Sequence, residues 1–416
     1  MKNKLYINSE RLMSSLFELG KLGALPEGGC CRIAGTPQDK LGRDFVVAKM
    51  QSLGLKIRID EIGNVTGIYS GLHDLPPVMM GSHIDTVGTG GLYDGNYGVL
   101  AGLEVINTLK DANIQPYRPV AVTFFTNEEG VRFQPDMMGS VVFAEQYPLE
   151  DALAAKDLDG ICVEQALLDM GYKGEAKIGS FPVDSYFELH IEQGPILDKE
   201  NINIGIVTGV QGISWTEYTI EGVSNHAGTT PMSMRHDAGL VAFKMGAFVR
   251  EITQTLGDNQ VATAGFISFK PNLINVIPNQ AILTIDLRNT DNNQLKKAEK
   301  MMQDYAQKIA AEEGVLLSSR TLARFDPVVF SDTIIDAIEQ EVKQQSLSYR
   351  KMPSGAGHDA QFMASICPSG MIFVPCAGGI SHNINEFSEP EDLARGANIL
   401  LNVVLPRAQR PHSEDK

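Results

Sequence analysis

The stretch PVMMGSHIDTVGTGGLYDGNYGVLAGLEVINTLK, Pro77–Lys110, passes from an apolar run through a glycine-rich segment into a run with Val99, Leu103, Ile106 and Leu109 at helical spacing. A short apolar run bounded by turn residues reads as a buried strand, and the later spacing reads as a helix. The next segment, RPVAVTFFTNEEG (Arg118–Gly130), is again a buried-strand pattern. Strand, helix and strand, with the strands apolar on both faces, is the grammar of an α/β fold. It predicts a mostly parallel mixed sheet covered by helices. His83 and Asp85 then fall at the carboxyl end of a strand, where open α/β sheets place their ligand crevice, and Asp94 falls just before the helix. Glycines between them let the backbone fold back so that imidazole and carboxylate converge. Taken alone, the stretch reads equally well as a pair of metal ligands or as an Asp-Gly turn beside a strand histidine.

Upstream, QDKLGRDFVVAKMQSLGL (Gln38–Leu55) has a helix pattern and precedes LKIRIDEIGNVTGIYSG (Leu55–Gly71). From Gly212 the grammar changes. An alternating strand ISWTEYTIEGV, a helix from Arg235 to Leu256, the strands VATAGFISF and QAILTIDLRN and a helix from Asn293 to Glu313 read as an antiparallel sheet with two helices on one face. After Asp326 come the helix SDTIIDAIEQEVKQQSL, the loop MPSGAGHDA, the strand GMIFVPC and a terminal helix, so α/β character resumes. The simplest organisation is an α/β domain built from residues 1–211 and 328–416, with an α+β domain inserted at 212–327.

At 416 residues, with 43% hydrophobic and 21% charged residues, the chain suits a globular protein of two domains. A net charge of -16 argues against nucleic acid and anionic membranes as partners, and an anionic substrate would need a local cation. Five cysteines without CxxC spacing read as reduced thiols of a cytoplasmic protein. The opening MKNKLYINSERLMSSLFELGKLG lacks a continuous apolar core and reads as an amphipathic helix with Leu12, Leu16 and Leu19 on one face. No apolar run is long enough for a membrane span.

Two more acids, Glu128 and Glu129, stand at the tip of an otherwise uncharged strand; neighbours on a strand point to different sides, so one can bind metal while the other faces substrate. In SYFELHIEQG, Glu188, His190 and Glu192 share a parity, which marks His190 either as a ligand or as part of a solvated strand face. His382 follows a glycine pair in GGISHNINEF. His83, Asp94, Glu129, His190 and His382 are thus five metal-type ligands from four strand ends. If Asp94 is shared, they can hold two divalent ions about 3.5–4 Å apart. Imidazole and carboxylate donors suit Zn, Mn, Co or Ni. Such a pair brings a bridging water's pKa from 15.7 to about 7 and polarises a carbonyl, while Glu128 can carry the water's proton to a leaving nitrogen. That chemistry is amide hydrolysis.

Elsewhere, Arg288 shares a strand face with Asp286, opposite Leu283, Ile285 and Leu287; it could grip a substrate carboxylate or form a surface salt bridge. His226 in SNHAGTTP could be part of a polar turn, and His358 could cap the following helix or line the cleft. Trp215, His73, His236 and His412 read as packing or surface residues, and the 16 scattered methionines as core.

GSHIDTV, GGLYDGNYGVLAG, NEEGVRF, ELHIEQGPIL, HAGTTPM, NVIPN, SGAGHDA and GMIFVPCAGGISH run in order from residue 81 to residue 382. Together they closely resemble the dinuclear-metal amidohydrolases that include aminoacylases, glutamate carboxypeptidases and succinyl-diaminopimelate desuccinylase. Within these they resemble the hydantoinase/carbamoylase group of N-carbamoyl-L-amino-acid hydrolases, β-ureidopropionases and allantoate amidohydrolases. The resemblance implies a zinc-aminopeptidase-like catalytic domain with an inserted lid and dimerisation domain, two divalent ions per subunit and a homodimer formed through the insertion. It implies His83, Asp94 and His190 on one ion and Asp94, Glu129 and His382 on the other, Glu128 as general base, and Asp85 as the acid that orients His83. Gln193 and His358 are implied as substrate contacts, Asn275 and Arg288 as holders of the substrate carboxylate, and His226 as stabiliser of the tetrahedral oxyanion, often across the dimer interface.

The activity expected is hydrolysis of an N-carbamoyl-L-amino acid, a small ureido-carboxylate, to the amino acid, ammonia and carbon dioxide. The alternatives are allantoate amidohydrolase, β-ureidopropionase, an inactive homologue that binds a ureide or amino acid, and a peptidase or deacylase of the same superfamily, which HAGTTPM and HIEQG disfavour. Allantoate enzymes of the group tend to carry an arginine pair where Ile213 and Trp215 stand here, and an inactive homologue would show a substitution at Glu128 or a ligand, which this chain does not.

Overall fold

The computed structural model describes residues 4–257 and 259–411; His412 lies outside them. The chain divides into two compact units, one of Met1–Thr208 with Val329–Lys416, the other Gly209–Val328.

The first unit is built on a mixed sheet of β1 (Lys56–Ile59), β2 (Val65–Tyr69), β3 (Val78–His83), β4 (Val120–Phe125), β5 (Ser185–Ile191), β6 (Ile204–Val210), β11 (Val328–Val329), β12 (Tyr349–Ser354) and β13 (Ser369–Val374), the last three following the second unit's strands in the chain. The order is β1-β2-β4-β3-β5-β13-β6-β11, with β12 beside β6. β4, β3, β5 and β13 run parallel, so their carboxyl ends share one edge of the sheet. β1 and β2 form an antiparallel ribbon on one side, and β6 runs antiparallel to β13 on the other. Every residue of β3, β4, β5 and β13 is buried, because helices pack both faces of the sheet. The helix Asn96–Asp111 returns from β3 towards β4 and buries Val99, Leu103, Ile106 and Leu109.

The second unit is an antiparallel sheet in the order β10-β7-β9-β8, where β7 is Gly212–Glu221, β8 Val261–Lys270, β9 Gln280–Asn289 and β10 Leu316–Phe325. β9 alternates half-buried and buried residues along its length, and Leu283, Ile285 and Leu287 face Val241 and Met245 of the helix Ala238–Leu256 and Met302 and Ile309 of the helix Asn292–Glu313. The first of these helices begins three residues later than Arg235, because Asp237 caps it by accepting from the Leu240 amide at 3.0 Å.

β10 is the one strand of this unit that the sequence pattern did not show. It is an edge strand, mostly exposed, with its register against β7 broken between Thr321 and Ala323, so strict alternation is lost. Not every methionine is core: Met232 and Met234 are 72% and 68% exposed. The five cysteines are free thiols, and no helix among the described residues is long and apolar enough to cross a membrane.

Candidate metal centre

The four parallel strands deliver their ligands to one edge. His83 is the last residue of β3, paired in register with Phe125 at the end of β4. His190 is the penultimate residue of β5, beside Phe373 of β13. The solvated strand face considered for His190 is not found, since β5 is buried throughout. Glu128 and Glu129 follow β4 after Asn127, which is left-handed at φ 55. That residue breaks strand alternation, so the separation of the two acids comes from a turn rather than from strand parity. His382, also left-handed at φ 54, lies on the loop after β13.

Asp94 sits among them. His190 Nε2 and His83 Nε2 lie 3.1 and 3.5 Å from its Oδ1, and His382 Nε2 lies 3.4 Å from its Oδ2. Glu129 Oε2 is 3.3 Å from the same His382 nitrogen, and Glu128 Oε2 is 3.4 Å from His83 Nε2. Two donor triads that share Asp94 result among the described residues, His83–Asp94–His190 and Asp94–Glu129–His382, each with its candidate ligand atoms within 4.8 Å of one another; a third group, Glu188–His190–His358, meets the same limit without Asp94. Nδ1 of His83 lies 2.9 Å from the Asp85 carbonyl and Nδ1 of His190 2.9 Å from the Ile191 carbonyl. A carbonyl can only accept, so Nδ1 of each ring is protonated, and Nε2 turns to the centre.

The link from Asp85 to His83 therefore runs through the main chain. The Asp85 carboxylate stands 4.0 Å from the ring and accepts instead from the Glu128 and Glu129 amides, both at 3.2 Å, which fixes the acid pair.

Burial opposes ionisation of Asp94, yet hydrogen bonds from His190, His382 and His83 hold its carboxyl well below the usual range. Burial pushes Glu128 well above its ordinary value and Glu129 up to about 7. The hydrogen bond to Asp94 raises His382 to about 9. Burial, helped by the neighbouring His190, keeps His358 well below its ordinary value and so uncharged at neutral pH.

Asp94, Glu128, Glu129, His190 and His382 stand in the wall of a cavity of about 140 Å³. His358 also lines it; its Nε2 is 2.9 Å from Ser354 Oγ, and its side chain does not cap the helix Asp359–Met363. Gln193 lines the cavity too, but its amide donates to Asp94 Oδ2 at 2.8 Å, leaving its own Oε1 buried without a partner. Sequence reasoning missed Asp136 and Met137 in the wall and Ser381, whose Oγ is 3.0 Å from Asp94 Oδ2. None of these carried a local signal.

The remaining residues that the sequence suggested for the site belong to the second unit. His226 lies on an exposed loop, where its Nδ1 accepts from the Gly228 and Thr229 amides at 3.0 and 3.2 Å; this is the polar turn the sequence allowed. Asn275 is on the paired loop, its carbonyl accepting from the Ala227 amide at 2.9 Å. Arg288 is ion-paired with Asp286 at 3.0 Å, and its guanidinium lies 5.9 Å from the Trp215 ring, directly opposite Ile213 in the register.

The model of peptidase family M20/M25/M40 matches residues 79–405. The chain belongs to that family. It is 38% identical over 404 residues to an N-carbamoyl-L-amino-acid amidohydrolase of Rhizobium meliloti, with 97% of each chain covered. It is 35% identical over 414 residues to a ureidoglycolate hydrolase of Arabidopsis thaliana, covering 96% of this chain and 87% of that one. An amidase of the hydantoinase/carbamoylase family from Burkholderia multivorans superposes with a TM-score of 0.95 at 41% identity, over 98% of this chain and 100% of that chain. The donor set suits divalent metal: Nε2 atoms and carboxylate oxygens converge, and Gly95, at φ 64, leaves the His83 ring space that a Cβ would fill, 2.4 Å from Nε2.

Proposed function

We propose that the chain hydrolyses N-carbamoyl-L-amino acids to the amino acid, ammonia and carbon dioxide. The observation that carries this reading is Asp94, which lines the cavity and whose two oxygens face the imidazoles of two separate triads, Oδ1 those of His83 and His190 and Oδ2 that of His382. Two divalent ions held by His83, Asp94 and His190 and by Asp94, Glu129 and His382 would supply a Lewis acid for the ureido carbonyl and an acidified water. Zn, Mn, Co and Ni all fit these donors.

Glu128 is the general base. Its carboxylate faces the centre, its backbone is fixed through Asp85, and burial raises its proton affinity, as a group that must both take and return a proton requires. It removes the proton of the attacking water and passes it to the departing amino nitrogen. Gln193 and uncharged His358 border the substrate, with the Gln193 Oε1 available to accept a ureido N–H.

Arg288 binds the α-carboxylate, displacing Asp286, and Ile213 and Trp215 beside it give an apolar side chain its contact. That pairing favours an N-carbamoyl amino acid over allantoate, whose second ureido arm is polar. His226 pairs with Val276, and Asn275 with Ala227, beyond the Gln280 end of β9, while Arg288 lies eight residues along that strand, about 27 Å at 3.4 Å per residue. One small substrate cannot touch both ends in a single copy. A homodimer through the second unit, with His226 and Asn275 serving the partner's substrate, satisfies both roles.

The test is ammonia release by the metal-loaded protein from N-carbamoyl-L-methionine, N-carbamoyl-β-alanine and allantoate, compared side by side. N-carbamoyl-L-methionine should be turned over fastest; preference for allantoate would transfer the assignment to the second reading.

A further inference from the structure

Glu386 has no place in the chemistry above, yet it is a carboxylate only 5% exposed on the same loop as His382. Its Oε1 accepts from the Tyr93 and Asp94 amides at 3.0 and 3.1 Å, and its Oε2 accepts from Ser381 Oγ at 2.9 Å. Ser381 Oγ in turn lies 3.0 Å from Asp94 Oδ2. One side chain therefore straps the backbone of the shared aspartate to the residue just before His382. The opposing loop is shaped to admit it: a Cβ on Gly91 would stand 2.2 Å from Glu386 Oε1, and Gly91 is not in the left-handed region, so close approach alone demands glycine there.

The two triads depend on this strap unequally. His83 and His190 are 1% exposed, carried by strands and held from behind by main-chain carbonyls. His382 is half exposed on a loop, and a left-handed backbone angle aims it. Without Glu386, Asp94 still keeps both imidazoles on Oδ1 and the Gln193 amide on Oδ2, but Ser381 loses an anchor. Resting on the reading that both triads hold divalent ions, we infer that Glu386 is a positioning residue that sets the affinity of the Asp94–Glu129–His382 triad and leaves that of the His83–Asp94–His190 triad nearly unchanged.

The test is calorimetric titration of the metal-free full-length chain with Zn(II) against a competing chelator. The wild type should show two classes of binding. Glu386→Ala should weaken one class tenfold or more, the range found when groups supporting metal ligands are removed, and leave the other within about threefold. Glu386→Gln keeps an oxygen for the two amides and turns its NH2 to Ser381 Oγ, so it should stay within about threefold of wild type in both classes. Gly91→Ala, which pushes the carboxylate aside without altering it, should reproduce Glu386→Ala. Circular dichroism of each metal-free variant checks folding, and should Glu386→Ala fail to fold, Gly91→Ala and Glu386→Gln decide. Unchanged binding in Gly91→Ala and Glu386→Ala, equal weakening of both classes, or a Glu386→Gln as weak as alanine each overturns the inference. A wild type that binds no zinc overturns the metal reading beneath it as well, which distinguishes the two failures.

Discussion

Gly95 lies directly against the ring of His83, so closely that a Cβ at residue 95 would stand 2.4 Å from both Cε1 and Nε2. The same residue has φ 64, a conformation that side chains rarely adopt, and it heads the helix Asn96–Asp111 just after Asp94. Gly95→Ala should therefore displace either the imidazole or the shared carboxylate. The expected outcome is a fall in bound metal and in kcat/KM of about a hundredfold or more, with little change in far-ultraviolet circular dichroism. Metal analysis after dialysis checks it, and a fully loaded, active alanine variant would contradict it.

On the proposed reading, Glu128→Gln removes the proton carrier but no donor of either triad. Bound metal and KM should stay close to wild type while kcat falls by about 10²–10⁴-fold, the contribution typical of general acid–base catalysis. A variant that loses metal in parallel with kcat would make Glu128 a ligand instead.

The legibility of this site in the sequence depended on what each residue does. His83, Asp94, Glu129, His190 and His382 could be read because imidazoles and acids at the ends of apolar strands are uncommon and because parallel strands end at one edge. Strand parity was less informative for His190: it separates the two faces of β5, but both are covered, so a polar residue there is buried either way. Ser381 and Glu386 act on amides and a carboxylate nearly three hundred residues away, and neither periodicity nor composition registers such a bond. Asp85 stands out in the sequence for its carboxylate, whereas its carbonyl is what meets the His83 ring. In the second unit, the helices and three strands show in the pattern of apolar residues, while the polar run Ser318, Ser319, Arg320 and Thr321 hides β10.

The hydrogen bond to Asp94 raises His382 to about 9, above its ordinary 6.5. In the metal-free chain that contact stabilises the fold fully below 6.5 and is lost as pH rises through about 9. An ion can use Nε2 only after its proton leaves, so metal binding at this triad should release a proton at pH 7, and apparent affinity should climb with pH and level off above about 9. Calorimetric titrations in two buffers of different ionisation enthalpy, at pH 7 and again near 9.5, measure this directly. Equal proton release at both pH values would contradict it.

Arg288→Ala should act on substrate binding rather than on the chemical step. The kcat/KM for N-carbamoyl-L-methionine should fall tenfold or more, about 1.4 kcal/mol at least, while the corresponding amide, which lacks the carboxylate, should be hydrolysed as by wild type. An equal loss for acid and amide would assign Arg288 to its ion pair with Asp286 alone.

Anomalous diffraction from crystals grown with zinc or manganese tests the shared aspartate most directly. Two peaks about 3.5–4 Å apart should flank the Asp94 carboxylate, one beside His83 and His190 and the other beside Glu129 and His382. Peaks confined to other parts of the chain, or none at saturating metal, would contradict a dinuclear centre and the hydrolysis built on it.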